Sequence, residues 1–519
     1  MKLSYRKTIL VGFAFFLICA FWQAYDNTVP LILTNKFGMS QGWSGVIMAL
    51  DNVLALFMLP LFGAISDRCR SPRGRRTPFI VIGTLVAAVA LMALSFVDRA
   101  QLRNLRDFSA IDDPAALHAI YERQADRELL TPGGQHFTLR AAFTEEEFTA
   151  IRSQITDSAG KTVTNPEYTN FVVPARQACA GDVTAAHQTT LILFVALLLV
   201  LLLAMATFRS PAVALMPDVT PKPLRSKANA VINLMGSAGG ILVLALGMVF
   251  ATSSLQNSLM PYLGYFGVIA AIMLSALVIF MLTVHEPQWV EEMQQQSAEG
   301  CPEEAVQDPS QPERKLTAGE LKSLVFILAS IVLWFFGYNA VTSKYSVYAS
   351  NILHKDYNLT LIIAQAAAIA AYLPVGFIAS KVGRKRTILA GVVMLTASFT
   401  VAAFLNAESP SGLMNAMFAL AGIGWATINV NSFPMVVELA GGSNVGRYTG
   451  YYYTASMAAQ VATPMLSGFL MDRFGMHILF PYAALFAGLA FLTMWFVRHG
   501  DSKPQAKTGI EVLEDMEAD

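Results

Sequence analysis

A short, strongly basic connection between two long apolar runs reads Gly63-Ala-Ile-Ser-Asp67-Arg68-Cys-Arg70-Ser-Pro-Arg73-Gly74-Arg75-Arg76. The second half of the chain holds a reduced copy, also between apolar runs, Gly376-Phe-Ile-Ala-Ser-Lys381-Val-Gly383-Arg384-Lys385-Arg386. Connections of this kind stay on the cytoplasmic side of a membrane, because translocating several Lys and Arg residues is disfavoured. Two such connections in like positions predict a duplicated membrane protein with two similarly built halves.

The composition of the chain places it in a lipid bilayer. Of its 519 residues, 55% are hydrophobic and only 14% are charged, whereas about 25% of the residues of a soluble domain are charged. The formal net charge is zero, so nothing favours a nucleic-acid partner. The four cysteines are spread over predicted helix and loops, which gives no disulfide or metal framework. We expect a monomeric, multi-pass protein of the cell membrane with no metal and no cofactor.

The apolar runs predict twelve membrane spans, since a span needs about 20 apolar residues. They lie near 9–33, 43–65, 78–97, 189–209, 229–252, 262–284, 323–346, 359–380, 387–405, 413–438, 448–471 and 478–497. Twelve spans put both termini on one side. The N-terminal basic residues and both basic connections fall on that side, which predicts cytoplasmic termini.

The spans divide the chain into two six-helix bundles. The first covers 1–284 and contains a polar external insertion at about 98–187, between spans three and four. A cytoplasmic linker at 285–322 leads to the second bundle at 323–498, and 499–519 forms a cytoplasmic tail. The Glu, Gln, Ser and Pro content of the linker predicts disorder in its middle.

Two extended motifs resemble a known family of membrane proteins. One is Ser66-Asp67-Arg68-Cys69-Arg70-Ser71 with Gly74-Arg75-Arg76-Thr77-Pro78-Phe79-Ile80; the other is Arg209-Ser-Pro211-Ala-Val-Ala-Leu-Met-Pro-Asp218 with Arg225-Ser-Lys-Ala-Asn229-Ala. Together they resemble the sucrose and maltose proton symporters of plants, with their animal and bacterial relatives near the glycoside-pentoside-hexuronide group, within the major facilitator superfamily.

The resemblance implies an all-α membrane protein with the major facilitator fold, twelve transmembrane helices in two pseudo-symmetric six-helix bundles. Its substrate would sit at the midplane between bundles that rock against each other. The implied activity is import of a glycoside, with a disaccharide as the favoured substrate. The favoured coupling ion is H+, and Na+ is the alternative. One departure matters: the plant members have an acid in the middle of span four, and 191–206 has none here. Their coupling site therefore cannot be carried over.

Two acids inside predicted spans are candidate coupling residues, because an ionisable group in a span is costly and by default functional. Asp26 and Asp51 lie at a similar predicted depth below the outer surface, and each is followed by Asn. The pair could carry a proton or bind Na+ with substrate oxygens. The alternative is structural: Lys344, near the outer end of span seven, could bridge to either acid and close an outer gate.

Sugar recognition needs flat apolar faces for the C–H side of the ring and amides or carboxylates for its hydroxyls. The chain offers such groups at helical spacing: Trp22 with Asp26, Trp334 and Tyr338 beside Asn339, and Trp425 with Asn429. The weaker candidates are Gln23, Asn27, Asn233, Gln365 and Gln460. For any single aromatic residue, packing or an interfacial position remains the alternative role.

Charges at the inner ends of the spans are candidate gates. Asp67 can accept hydrogen bonds from a helix N-terminus of the other half and so act as an inner latch, while Arg68 and Arg75 either assist it or only fix topology. At the ends of spans four and ten, Asp218 could pair with Arg447 across the halves. The remaining members of this inner gate are Arg209, Arg225 and Glu438, with Glu438 pairing Arg225.

These features predict a secondary transporter and not an enzyme. The chain has no nucleotide-binding loop of the Gly-x-x-x-x-Gly-Lys-Ser/Thr type, which disfavours a primary pump. A drug or metabolite exporter of the same fold, and a solute sensor that uses the insertion as its ligand domain, remain the alternatives.

Overall fold

The computed structural model describes residues 4–156, 160, 162–221, 225–300, 316–439 and 445–500. Twelve long helices dominate this part of the chain. They are α1 (Tyr5–Asn35), α2 (Gln41–Asp67), α3 (Thr77–Asn104), α4 (Gln188–Val219), α5 (Arg225–Val249), α6 (Leu263–Thr283), α7 (Ala318–Tyr348), α8 (Tyr357–Val382), α9 (Arg384–Ala402), α10 (Ser411–Glu438), α11 (Val445–Phe474) and α12 (Leu479–Trp495). We call the side that carries 63–76 the inner side and the opposite side the outer side.

Ten of the helices in the described part of the chain are long and apolar enough to cross a membrane. The other two long helices are α8 and α11. The described apolar stretch of α8 is Tyr357–Tyr372, because some side chains beyond it lie outside the described part of the chain. Helix α11 carries Gln460, Asp472 and several Tyr and Thr residues. The predicted helical membrane fold is confirmed at this level.

Local sequence sets where several helices begin. Ser40 is the N-cap of α2, and its hydroxyl accepts a hydrogen bond from the Trp43 N–H. Thr317 and Glu320 form a capping box at the start of α7. Each cap satisfies backbone N–H groups that the first helical turn leaves without a partner.

The buried apolar side chains form two large clusters, one for each half of the chain. The first is built from α1–α6, with Phe21, Leu198 and Phe266 near its centre, and the second from α7–α12, with Trp334 and Phe480. Leu31, near the outer end of α1, packs into the second cluster. The halves therefore have separate cores and meet at the outer side.

Glycines allow the closest helix contacts. A Cβ on Gly239 of α5 would lie 2.5 Å from the Phe16 carbonyl oxygen of α1, in the same half. A Cβ on Gly45 of α2 would lie 2.0 Å from the Pro464 carbonyl oxygen of α11, in the other half. The second contact brings the outer ends of α2 and α11 together.

The external insertion is a folded cap with its own core. Helix α3 runs on to Asn104, so the cap begins later than the predicted 98, and it ends where α4 starts at Gln188. It contains helices Arg106–Ser109, Pro114–Gln124, Leu139–Ala142, Glu145–Ala150 and Val173–Ala186, and strand pairs Leu129–Leu130 with His136–Phe137 and Gln154–Thr156 with Thr162–Thr164. Leu117, Phe148 and Tyr168 are among its core residues.

The cap touches both halves. Gln177 Nε2 donates to Asn35 Oδ1 at 2.9 Å, at the end of α1. On the other side, the Met476 N–H donates to the Pro132 carbonyl oxygen at 2.8 Å, and Thr169 Oγ1 lies 3.3 Å from His354 Nε2. The cap therefore bridges the two halves on the outer side.

The predicted linker begins with a helix, Glu286–Gly300, on the inner side, and its middle lies outside the described residues. Glu286 is buried and accepts hydrogen bonds from the backbone N–H groups of Arg75, Arg76 and Thr77 at 2.8–3.1 Å. These groups start α3, so Glu286 caps that helix from another part of the chain.

Candidate functional site

Two neighbouring cavities are lined by residues of both halves, with volumes of about 260 Å³ and 180 Å³. They share Asp26 and Thr342. The larger is lined by Gln23, Asn27 and Ser237 from the first half and by Tyr338, Gln365, Tyr372 and Trp425, among others, from the second. The smaller is lined by Trp22, Asp26, Met48, Asp51, Asn52, Arg209, Asn339, Thr342, Ser343, Gln460 and Pro464.

The charged lining of these cavities comes from the first half. Asp26 on α1 and Asp51 on α2 line the same cavity, and Arg209 on α4 lies with them. The Arg209 guanidinium carbon is 5.5 Å from the centre of the Trp22 ring, a cation–π contact. Arg209 was predicted as a member of the inner gate; it lines the smaller cavity beside the two acids, and its gating role stays a prediction.

A stacked aromatic pair forms one wall of the larger cavity. Tyr338 on α7 and Trp425 on α10 stack with ring centres 3.6 Å apart and ring planes 1° from parallel. Phe335 packs its edge against Trp425 at 5.2 Å. Trp334, by contrast, is fully buried in the core of the second half and has a packing role.

Several polar atoms of the lining have no protein partner in the described part of the chain. They are Trp22 Nε1, Asn339 Nδ2 and Gln365 Oε1. Buried polar groups are nearly always hydrogen-bonded, so such atoms in a cavity are directed at water or a ligand. Asn27 and Gln460, in contrast, donate to the backbone carbonyls of their own helices, at 2.9 Å and 3.3 Å.

Two predicted binding residues are not among those that line the cavities. Asn233 is exposed on α5, and Asn429 is half-buried on α10 four residues beyond Trp425. Both lie nearer the inner ends of their helices than the cavity does. Although Asn429 lies one helical turn from the cavity residue Trp425, this spacing does not bring it into the cavity. Thr342, Ser343 and Ser237 line the cavities and were missed, because short hydroxyl residues are common in spans and carry no distinctive signal.

Lys344 has a different partner from the predicted acids. It is fully buried, and its Nζ donates to the Gln41 backbone carbonyl oxygen at 2.6 Å, at the start of α2. Asp472 of α11 accepts hydrogen bonds at the same place, from the N–H groups of Gln41 and Gly42. Lys344 therefore joins the halves at the outer side without contacting Asp26 or Asp51.

Among the described residues, each predicted inner-gate acid contacts an arginine of its own half. Asp218 accepts hydrogen bonds from Arg75 at 2.6 Å and from Arg76 at 2.8 Å. Asp67 accepts from Arg76 as well, and is largely exposed. In the second half the equivalent pair is Glu438 with Arg384. In each half the Arg after the glycine of the basic connection contacts the acid, and the expected cross-pairing with Arg225 and Arg447 stays a prediction, because those two side chains lie outside the described residues.

The remaining gate candidates are the three arginines Arg225, Arg447 and Arg68. The side chains of Arg225 and Arg447, predicted to cross-pair with Glu438 and Asp218, lie outside the described part of the chain. Arg68 is exposed just beyond the end of α2. Its position is compatible with a topological role.

Two family profiles match the chain. The Major Facilitator Superfamily profile matches residues 177–371 and 354–514, which is more than half of the chain. The profile described as MFS/sugar transport protein matches residues 10–100.

Curated relatives match a short segment. Sucrose transport protein SUC4 of Arabidopsis thaliana is 39% identical over 59 residues, and sucrose transport protein SUC3 of the same plant is 34% identical over 67 residues. These segments are 11% and 13% of this chain and 12% and 11% of the relatives. The match thus spans only about a ninth of the length of either relative.

Solved structures match along the whole chain. The inward open xylose transporter XylE from E. coli has a TM-score of 0.59 at 14% identity, covering 99% of this chain and all of that one. A D-xylose-proton symporter structure has a TM-score of 0.57 at 14% identity, covering 96% and 99%. Identity this low shows a shared fold alone. With the fold and the profile match in agreement, the chain belongs to the major facilitator superfamily.

Proposed function

We propose that this protein is a secondary transporter that imports a sugar or glycoside together with H+ by alternating access. A disaccharide is the substrate that we favour. The observation that carries the proposal is the cavity between the halves. Asp26, Asp51 and Arg209 of the first half line it opposite the stacked Tyr338–Trp425 pair of the second. Aromatic faces pack against the C–H side of a sugar ring, and carboxylates and amides bind its hydroxyls.

The comparisons support this reading of the cavity. The two curated relatives are named as sucrose transport proteins, and the profile over residues 10–100 is described as a sugar transport protein. That matched segment contains Asp26 and Asp51. In this proposal all twelve long helices cross the cell membrane as two six-helix bundles, and both termini and the 285–322 linker are cytoplasmic.

Coupling follows from the charges in the cavity. Two carboxylates and one guanidinium leave one excess negative charge if all three are ionised. One bound proton makes the group neutral, and moving a neutral group through a closed, water-poor intermediate costs less than moving a charged one. We assign the proton to the Asp26–Asp51 pair, with Arg209 as the counter-charge. Na+ bound by the same carboxylates is the second choice.

The direction of access follows from the contacts between the halves. Those at the outer side, through Lys344, Asp472 and the cap, close that side. The cavity in this conformation is therefore assigned to the inward-facing half of the cycle. Closure of the inner side in the other half of the cycle is assigned to Asp67 and to the inner ends of α4, α5, α10 and α11.

Uptake into proteoliposomes tests the proposal. Purified protein is given a panel of labelled monosaccharides and disaccharides with a proton gradient, with a sodium gradient, or with neither. We expect a sugar to accumulate only with the proton gradient. Asp26→Asn and Asp51→Asn should each abolish accumulation while sugar exchange at equal concentrations persists, because exchange needs the cavity and not the proton.

Asp107→Asn, at an exposed position of the cap, is the matched control and should accumulate sugar like the unaltered protein. Full proton-driven accumulation in both cavity variants would reject the coupling assignment. Extrusion of apolar compounds without sugar uptake would favour the exporter, and saturable sugar binding without flux would favour the sensor.

A further inference from the structure

The outer end of α11 repeats the motif found at the inner end of α2. The first reads Gly63-Ala-Ile-Ser-Asp67-Arg68 and the second Gly468-Phe-Leu-Met-Asp472-Arg473, both with the pattern Gly-x-x-x-Asp-Arg. The start of α2 meets the end of α11, so the two helices run in opposite directions. The two copies of the motif therefore lie at opposite ends of one helix pair that joins the halves.

The outer copy is engaged in this structure. Asp472 Oδ1 accepts a hydrogen bond from the Gln41 N–H and Oδ2 one from the Gly42 N–H, each at 2.7 Å. These two N–H groups belong to the first turn of α2. N–H groups in a first turn have no acceptor within the helix, and the helix start carries partial positive charge. A carboxylate at the end of one helix thus caps the start of the other, across the boundary between the halves.

Two further features fix this contact. Lys344 of α7 donates to the Gln41 carbonyl oxygen at 2.6 Å, so the Gln41 peptide is held from both sides. A Cβ on Gly468 would lie 2.2 Å from that same oxygen. The glycine of the motif therefore lets the two backbones approach, and the acid four residues later joins them.

The inner copy has no partner in the other half among the residues that the structure describes. The Asp67 side chain is 57% exposed and accepts its hydrogen bond from Arg76 of its own half. We propose that Asp472 is a latch of the outer side: it caps α2 when the outer side is closed and releases α2 when that side opens. At the opposite end of the same helix pair it is the counterpart of the inner latch that the sequence analysis assigned to Asp67. This inference rests on the proposed alternating access.

The pseudo-equivalent helix pair, α5 with α8, has no such arrangement in its sequence. The copy of the motif at the end of α8 has Ser380 where α2 has Asp67. At its outer end that pair is joined by neutral groups: Thr252 Oγ1 lies 2.8 Å from the Tyr357 hydroxyl and accepts from Asn358 Nδ2 at 3.2 Å. In the described part of this pair, the outer contact therefore has no counterpart of the Asp472 carboxylate cap.

Spin-label distances on the full chain test the latches without any substrate. One label replaces Val249, exposed at the outer end of α5, and the other replaces Phe404, exposed after α9. The native cysteines are replaced by Ser. The outer distance is then measured in lipid nanodiscs for the parent, Asp472→Ala, Asp472→Asn, Asp67→Ala and, as the matched control, Arg473→Ala at an exposed neighbouring position.

We expect Asp472→Ala to raise the population with the long outer distance, by about 3- to 30-fold relative to the short one, the range that loss of a helix cap produces. Asp67→Ala should shift the population toward the short distance, and Arg473→Ala should match the parent. Asp472→Asn can accept only one of the two hydrogen bonds and should fall between. If Asp472→Ala does not fold, Asp472→Asn carries the same comparison.

An unchanged distribution in the Asp472 variants would overturn the proposal, and so would a shift in the same direction for both acids. The measurement separates this inference from the proposed function. Opposite shifts without uptake of any sugar in the panel would keep the latches and reject the substrate assignment.

Discussion

At the scale of single residues, the outer end of α1 is held by a fully buried ion pair. Lys36 Nζ donates to Asp98 Oδ1 at 2.5 Å and to the Met260 carbonyl oxygen at 2.7 Å, and both side chains are completely buried. The Tyr262 N–H donates to the second Asp98 oxygen at 3.1 Å. Each buried charge is thus paired and hydrogen-bonded, as a dry site requires.

Breaking this pair from one side should be more harmful than removing both charges. Asp98→Asn leaves the Lys36 ammonium buried without a counter-charge, and we expect a loss of about 3–5 kcal/mol in the free energy of unfolding. Lys36→Met combined with Asp98→Asn removes the charges and keeps an acceptor for the Tyr262 N–H, so it should recover much of that loss. Chemical denaturation in detergent compares them. A double variant less stable than Asp98→Asn would contradict this account.

At the scale of elements, α2 and α11 pack by backbone contact at their outer ends. Gly45 faces the Pro464 carbonyl oxygen, and Gly42 faces the Phe469 ring. A Cβ added to Gly42 would lie 2.3 Å from that ring. Proline at 464 has no N–H, so the carbonyl oxygen four residues earlier in α11 lacks its usual helical donor. The fit of these helices therefore depends on residues without side chains at two positions.

An added methyl group should separate these helices. Gly45→Ala puts a Cβ 2.0 Å from the Pro464 oxygen, and overpacking of this kind costs about 1–3 kcal/mol. We expect the state with a closed outer side to be disfavoured. The population with the long distance between the two spin labels should therefore rise. The control is Gly376→Ala in the α8 copy of the basic motif, where a Cβ would meet nothing within 4 Å. A short distance in both variants would show that α2 and α11 tolerate the methyl.

At the scale of the whole molecule, the cap acts on both halves at once. Its contacts with Asn35 on one side and with Met476 and His354 on the other must shift when the outer side opens. None of the residues that line the central cavities comes from the cap. We therefore expect the cap to favour the state in which the outer side is closed and the helices alone to form the proposed binding site.

Removal of the cap should leave transport and change the conformational balance. Replacing 106–187 with a Gly/Ser linker keeps Asp98 and Gln101, which are buried parts of α3. We expect sugar exchange to persist and the long outer distance to become more populated. A folded variant that has lost all exchange would contradict this, and would favour a binding role for the cap.

A milder variant supplies the control for folding of the cap. Gly134 has a φ of 86°, and a Cβ there would lie 2.9 Å from the Phe474 carbonyl oxygen. Gly134→Ala should therefore strain this turn of the cap and loosen its contact with the second half. Burial raises the pKa of the Cys179 thiol in the cap core to about 11. This thiol should therefore resist maleimide near pH 7 for as long as the cap stays folded.

The sequence predicted the family and the helical membrane fold from local features alone. An apolar run longer than 20 residues forms a helix in lipid, because each of its backbone polar groups must find a hydrogen-bond partner within the same segment. The basic connections at 63–76 and 376–386 marked the halves because charge at a membrane surface is a property of the residues themselves. The cavity positions of Asp26 and Asp51 were also predictable, since buried acids stand out in an apolar span.

Which groups face one another was decided only by the tertiary structure. Arg209 was predicted at the inner gate and lines the cavity. The alternative bridge from Lys344 to Asp26 or Asp51 is not formed, and Lys344 joins α7 to α2 instead. Asp472 was overlooked because its partners are backbone N–H groups of the other half, which no residue type reveals. Partners between distant helices depend on how the helices tilt, bend and rotate, and packing of the whole molecule sets those angles.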